Sequence, residues 1–175
     1  MVVYDIGANV GFYTLLASKL AGDTGRVYSF EPFPGNIEYL KKHVAINKLS
    51  NVEIIDKAVS DQVNNSLFKI GKNNSVGRLN PDGDIVVETI TLEEFILDGN
   101  LPPSVIKMDI EGAEFNALLG AEKLLKEHSP KIFLATHGDE VKENCLSLLD
   151  RLKYKFYPIS SDSIEECDEI LAEKV

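Results

Sequence analysis

The chain has 175 residues, enough for one domain with a continuous core, and 44% hydrophobic against 26% charged residues is ordinary for a soluble globular fold. A net charge of −10 excludes a broad phosphate-gripping face, so no nucleic-acid partner is expected. No apolar run reaches membrane-span length and no leader precedes the first motif, so a cytoplasmic location with no membrane partner is expected.

Taken in chain order, short apolar runs alternate with helical patterns, which predicts βαβ units and a doubly wound α/β fold built on a mainly parallel sheet. Val2–Ile6 reads as the first strand. Phe12, Leu15, Leu16 and Leu20 then recur at helical spacing as an apolar stripe. Arg26–Phe30 is the second strand and ends at Glu31-Pro32. Ile37, Leu40 and Val44 line the next helix, closed by Asn47, and Val52–Ile55 is the third strand.

Residues 66–70 and 85–89 read as two strands joined by a Gly- and Asn-rich connection, a β-hairpin insertion. Residues 64–83 are either part of an acceptor site or a surface loop. Thr91 caps a short helix, with Glu94 completing a capping box. Val105–Met108 is the fourth strand of the main sheet. Residues 113–126 form a helix that Gly120 kinks or divides. Lys131–Ala135 is the fifth strand, reaching Thr136 and His137. Val141, Cys145, Leu148, Leu149 and Leu152 make the cleanest helical stripe. Residues 154–159 and 169–172 supply the last two strands.

Cys145 falls on that stripe as a buried free thiol, and its spacing to Cys167 matches no zinc pattern. With no repeats and no linker, residues 1–175 read as a single domain. Met1 leads directly into a buried strand, which fits a domain lacking an N-terminal segment or a minimal natural version.

The strongest signal is Asp5-Ile6-Gly7-Ala8-Asn9-Val10-Gly11, between the first strand and first helix. Glycine takes positive φ and lets backbone approach a ligand, and the following helix points free N–H groups at the same space. That suits the carboxylate of an aminoacyl tail, with Asp5 placed to accept from its ammonium group. Glu31, 26 residues beyond Asp5, ends the second strand where a carboxylate can accept both hydroxyls of a ribose. Together they indicate a nucleoside-containing ligand. A dinucleotide site wants G-x-G-x-x-G, whereas this loop reads D-x-G-x-x-x-G and Asn9 crowds the pyrophosphate position. S-adenosylmethionine is therefore favoured over NAD.

The chain resembles the FkbM family of methyltransferases over nearly its whole length. The likeness is carried by Tyr4-Asp5-Ile6-Gly7-Ala8-Asn9-Val10-Gly11-Phe12-Tyr13-Thr14, Ser29-Phe30-Glu31-Pro32, Lys57-Ala58-Val59-Ser60 and, most specifically, Ile106-Lys107-Met108-Asp109-Ile110-Glu111-Gly112-Ala113-Glu114. The resemblance implies a class I, Rossmann-like sheet of seven strands with the final one antiparallel. It also implies methyl transfer from S-adenosylmethionine to an oxygen, on sugars or hydroxyls of secondary metabolites.

By that likeness Ala58 and Val59 lie beside the adenine and Asp56 partners its amino group, though the two apolar residues are equally explained as core. The expected cofactor set is Asp5, Gly7, Ala8, Asn9, Gly11, Phe12, Glu31, Pro32, Asp56, Ala58, Val59 and Asp109.

Catalytic candidates are Asp109, Glu111 and His137. Asp109 and Glu111 follow the fourth strand at the switch point where such sheets bind ligands. They can flank the methyl donor, bind acceptor hydroxyls or hold a divalent cation. Glu114, in the first turn of the next helix, reads equally well as a dipole-stabilising residue. His137 is either the base for the acceptor hydroxyl or a strand cap. Family members often carry Glu before this histidine, where this chain has Thr136. Two other functions stay open: a non-catalytic S-adenosylmethionine-binding module and an NAD-dependent enzyme. Oligomeric state and acceptor are not set by the sequence.

Overall fold

The structure, a computed structural model, describes residues 1–71 and 77–174. The elements in chain order are β1 (Val2–Ile6), α1 (Phe12–Ala21), β2 (Arg26–Phe30), α2 (Pro34–Ile46), β3 (Val52–Ile55), β4 (Ala58–Val59), β5 (Asn65–Ile70), β6 (Gly77–Leu79), β7 (Ile85–Ile90), α3 (Leu92–Leu97), β8 (Val105–Met108), α4 (Glu114–Leu119), α5 (Glu122–His128), β9 (Lys131–Ala135), α6 (Asp139–Arg151), β10 (Lys155–Pro158) and β11 (Glu169–Glu173).

Seven strands pair in the order β10-β11-β9-β8-β1-β2-β3. All run parallel except β11, which lies antiparallel between β9 and β10. This is a Rossmann-like sheet of seven strands with an antiparallel final strand, as the resemblance implies. The winding reverses between β1 and β8, where Ile6 stands in register with Met108. The two chain segments leaving those residues, 7–11 and 109–113, therefore open side by side at the carboxyl edge, which is where such sheets bind ligands.

One face of the sheet is filled by aromatic side chains that meet Phe95 of α3. Tyr4, Tyr28, Phe30 and Phe95 pack with ring centroids 5.0–5.6 Å apart, edge-on or tilted, the arrangement favoured by ring quadrupoles. The buried Tyr4 hydroxyl donates to the Leu101 carbonyl at 2.7 Å. Cys145 is buried as a free thiol on α6, as the stripe predicts.

Helix α1 departs from the sequence expectation. Phe12 is 72%, Leu16 48% and Leu20 70% exposed, while the buried residues are Thr14 and Ser18. The hydroxyls win the inner face because they have partners there. Thr14 Oγ1 donates to Asp5 Oδ2 at 2.6 Å and lies 2.9 Å from Ser29 Oγ, and Ser18 Oγ donates to Asn51 Oδ1 at 2.5 Å. Small polar groups let α1 sit close on β1 and β2, so its apolar stripe faces away.

The insertion is larger than a hairpin. β5 and β7 do pair antiparallel, and β6 and β4 extend them to a four-stranded sheet in the order β4-β7-β5-β6. Phe33 stacks on Phe68 at 6.4 Å and links this sheet to the end of β2. Part of the 64–83 stretch, residues 72–76, lies outside the described residues.

The helical run after β8 is divided at Gly120 into α4 and α5. The cause is close approach: a Cβ on Gly120 would stand 2.2 Å from the Ser60 carbonyl oxygen. Gly120→Ala is expected to cost about 1–3 kcal/mol, as overpacking does, and to lower the melting temperature by roughly 2–4 °C per kcal/mol in a domain of this size. Thermal unfolding checks it, and an unchanged midpoint would show that the backbone at Ser60 can yield.

Candidate active site

The turn after β1 is built by backbone geometry. Gly7 has φ +78°, and a Cβ there would sit 2.0 Å from the Asp109 carbonyl oxygen, so only glycine lets the β1 and β8 edges meet. The Gly7 and Ala8 N–H groups both donate to the Phe30 carbonyl at 3.1 and 3.0 Å. His43 Nδ1 lies 2.6 Å from the Val10 carbonyl oxygen and holds the far side of the loop. Sequence reading gave His43 no role.

Glu31 is the loop's second anchor. Its Oε2 accepts from the Asn9 N–H at 2.8 Å and its Oε1 from the Phe33 N–H at 2.9 Å. Burial raises the Glu31 carboxyl above the ordinary range, with the Phe33 and Asn9 N–H groups opposing. The Asn36 side chain hydrogen-bonds to the carboxylate as well, which leaves it capacity for one further donor.

Around these residues lies a cleft of about 340 Å³. Of the predicted residues, Gly7, Ala8, Asn9, Phe12, Glu31, Pro32, Ala58, Val59, Asp109 and Glu111 line it. Others are placed elsewhere. Asp5 is fully buried behind the loop, held by Thr14, with Lys107 Nζ 3.6 Å from its Oδ1. Gly11 starts α1 with φ +102° against Leu40 rather than facing the cleft. Asp56 is exposed and does not line the cleft.

Several lining residues went unremarked in the sequence, among them Asn36, Phe68 and Arg78. Lys107 is the most consequential. Its Nζ donates to the Gly7 carbonyl at 2.9 Å, lies 3.9 Å from Asp109 Oδ2 and sits 5.0 Å over the Tyr13 ring. One ammonium thus fixes the loop and offsets two carboxylates. Its signal was available: a lysine flanked by apolar residues in a buried strand needs partners.

The Asp109–Glu114 turn meets the end of β9. His137 Nε2 lies 3.6 Å from both Asp109 Oδ1 and Glu111 Oε2, and its Nδ1 is 2.9 Å from Glu114 Oε1. Glu114 is fully buried and also accepts from the Ile110 and Gly112 N–H groups at 3.0–3.1 Å. It is therefore a fixed carboxylate that orients the imidazole, a role the sequence left level with a dipole effect. Burial disfavours imidazolium, but the Glu114 hydrogen bond and charge, then Glu111 and Asp109, outweigh it, so the His137 pKa is raised. Thr136 is buried and bonded through its N–H to the Asp168 carbonyl at 2.9 Å.

Glu111 adopts φ +57°, a left-handed conformation that costs a non-glycine residue about 1–2 kcal/mol. Glu111→Gly is expected to raise stability by up to about 1 kcal/mol, the relief less glycine's own entropy cost, while removing a carboxylate from the cluster. Denaturant unfolding checks it, and a destabilised variant would mean the Glu111 side chain contributes more than its backbone costs. Asp109, Glu111 and His137 also form a group whose donor atoms lie within 4.8 Å of one another, a set able to hold a divalent cation.

The Methyltransferase FkbM domain matches residues 5–173. A hexuronic acid methyltransferase, AglP of Haloferax volcanii, is 26% identical over 128 residues, covering 71% of this chain and 52% of that protein. An FkbM methyltransferase from Methylobacillus flagellatus KT superposes with TM-score 0.70 at 21% identity, over 98% of this chain and 42% of the other. A Streptococcus mutans methyltransferase in complex with SAH gives 0.55 at 14% identity, over 99% and 88%. The chain thus spans about half the length of AglP. With its cleft, switch point and sheet order in place, the chain belongs to the FkbM methyltransferase domain family.

Proposed function

We infer that this chain transfers a methyl group from S-adenosylmethionine to an oxygen of a small hydroxylated acceptor, in the first place a sugar. The observation that carries this reading is one cleft with the Gly7 loop and the Glu31 carboxylate at its wall and Asp109 and Glu111, next to His137, at its end. The residues fit the cofactor. Glu31 keeps acceptor capacity for a ribose hydroxyl, the positive-φ turn leaves room for the aminoacyl tail, and Ala58, Val59 and Phe68 offer apolar surface to adenine. AglP's name supports a sugar acceptor.

When bound, S-adenosylmethionine would supply a sulfonium methyl to the acceptor oxygen and be left as a neutral thioether. Little bond chemistry is left to the protein, whose contribution is alignment and proton removal. In-line positioning is worth up to about 7–11 kcal/mol. His137 Nε2 takes the hydroxyl proton while Glu114 holds its Nδ1–H, and Asp109 and Glu111 accept from neighbouring hydroxyls.

Calorimetry with S-adenosylmethionine, S-adenosylhomocysteine and NAD, followed by transfer of labelled methyl to hexoses, uronic acids and RNA, tests the reading. Tight binding of the first two and methyl ether formation on a sugar are expected. Preference for NAD overturns it, and tight binding without transfer to any acceptor makes the chain a cofactor-binding module. Chelation separates the roles of the cluster: turnover that survives EDTA keeps His137 as base, whereas loss restored by Mg²⁺ or Mn²⁺ makes it a ligand.

A further inference from the structure

The sequence places Asp5 to meet the ammonium of an aminoacyl tail, but the structure sets another charge in front of it. Asp5 and Lys107 stand in register on the parallel strands β1 and β8, so their side chains leave the sheet on the same face. The shorter Asp5 stays fully buried, bonded to Thr14. The longer Lys107 reaches past it to the Gly7 carbonyl at the carboxyl edge of the sheet. Of this pair it is the ammonium that lines the cleft.

An ammonium has three donors. One goes to the Gly7 carbonyl at 2.9 Å and a second faces Asp5 Oδ1 at 3.6 Å. Asp109 Oδ2, at 3.9 Å, lies beyond hydrogen-bond length. The third donor is left for a group in the cleft.

Charge decides which group that is. The charged residues lining the cleft are Lys57, Arg78 and Lys107 against Glu31, Asp109 and Glu111. Lys57 is paired with Glu88 at 3.0 Å and Arg78 stands on β6, so both belong to the end that Ala58 and Phe68 line. His137, beyond the cleft lining, is ringed by Asp109, Glu111 and Glu114. Among the described lining residues, Lys107 is thus the cation at the Gly7–Asp109 end. A ligand carboxylate set against Asp109 or Glu111 instead meets like charge.

We propose that Lys107 recognises the carboxylate of the cofactor's aminoacyl tail and so selects nucleosides that carry one. The tail's ammonium then falls to Asp109 Oδ2, the oxygen turned to Lys107, while Oδ1 is turned to His137 and the acceptor. The assignment rests on S-adenosylmethionine as the cofactor but is tested apart from it.

Calorimetry compares S-adenosylhomocysteine with its decarboxylated analogue, whose tail ends in the amine alone. The native chain is expected to bind S-adenosylhomocysteine about ten- to a hundredfold more tightly, the worth of one charge-assisted bond. In Lys107→Met the two ligands are expected to bind within about twofold of each other. The ratio is the readout, because losing the Gly7 anchor weakens both ligands alike. Lys107→Met also leaves the buried Asp5 without its charge partner. The double variant Asp5→Asn/Lys107→Met removes both charges and repeats the ratio if the single variant does not fold.

Equal affinity of the native chain for the two ligands overturns the assignment, whatever the variants do, and leaves the methyltransferase reading standing. A ratio that survives in a folded variant also overturns it, giving Lys107 a purely structural part. Failure of the native chain to bind either ligand sinks the cofactor reading itself.

Discussion

Replacing Glu31 with alanine is expected to lower affinity for S-adenosylhomocysteine a hundredfold or more. A charge-assisted bond to a ribose hydroxyl is worth about 1.5–3 kcal/mol, and about 2.7 kcal/mol already corresponds to a factor of 100. The variant loses more than the ribose contact. Glu31 also accepts from the Asn9 and Phe33 N–H groups, so alanine leaves two donors of the binding loop unpaired. Glu31→Gln separates the two effects only partly, because its amide nitrogen must face one of those N–H groups.

Burial raises the Glu31 carboxyl, so in the free protein it takes up a proton above the ordinary glutamate value of about 4.3. Affinity should therefore fall on acidification before an exposed glutamate would titrate. Calorimetry across pH, with thermal unfolding to monitor the fold, reads both effects. A Glu31→Ala protein that is folded and binds S-adenosylhomocysteine with unchanged affinity would remove the ribose assignment and with it the main support for the cofactor.

Much of this arrangement can be read from sequence because its determinants are local. A strand-ending acid and a glycine that must adopt positive φ are visible in Asp5-Ile6-Gly7 without tertiary information, and the Glu31-Pro32 strand end follows from the alternation of runs. What the residues do is less local. Asp5 and Glu31 look alike in sequence, each an acid at a strand end, yet one is buried under Thr14 and the other lines the cleft.

The outward turn of the α1 stripe was hidden for a related reason. Periodicity places Leu16 and Leu20 on one face but not against which neighbour, and the partners of Thr14 and Ser18 lie on β1, β2 and the lead-in to β3. Glu114 is the sharpest case. Its first-turn position suggests a dipole effect, and only the fold brings it to His137, 23 residues later.

The Glu114–His137 pair predicts an effect of similar size to the loss of Glu31, seen in turnover rather than binding. His137→Ala is expected to lower kcat by about 10²–10⁴, the usual contribution of a general base, with S-adenosylhomocysteine affinity unchanged. Glu114→Gln tests why the histidine serves. Its carboxylate raises the His137 pKa, so in the native protein the free base is depleted until pH rises above the ordinary 6.5. The acid limb of kcat/KM should lie above that value and move toward it in Glu114→Gln.

Stability runs the other way. Imidazolium paired with Glu114 contributes most below pH 6.5, and the contribution is lost as pH rises through the raised native pKa. The protein is therefore expected to work best where this pair stabilises it least. A purely structural Glu114 would lower stability and kcat without shifting the limb, and an unmoved limb in a folded Glu114→Gln protein would end its role in tuning the base.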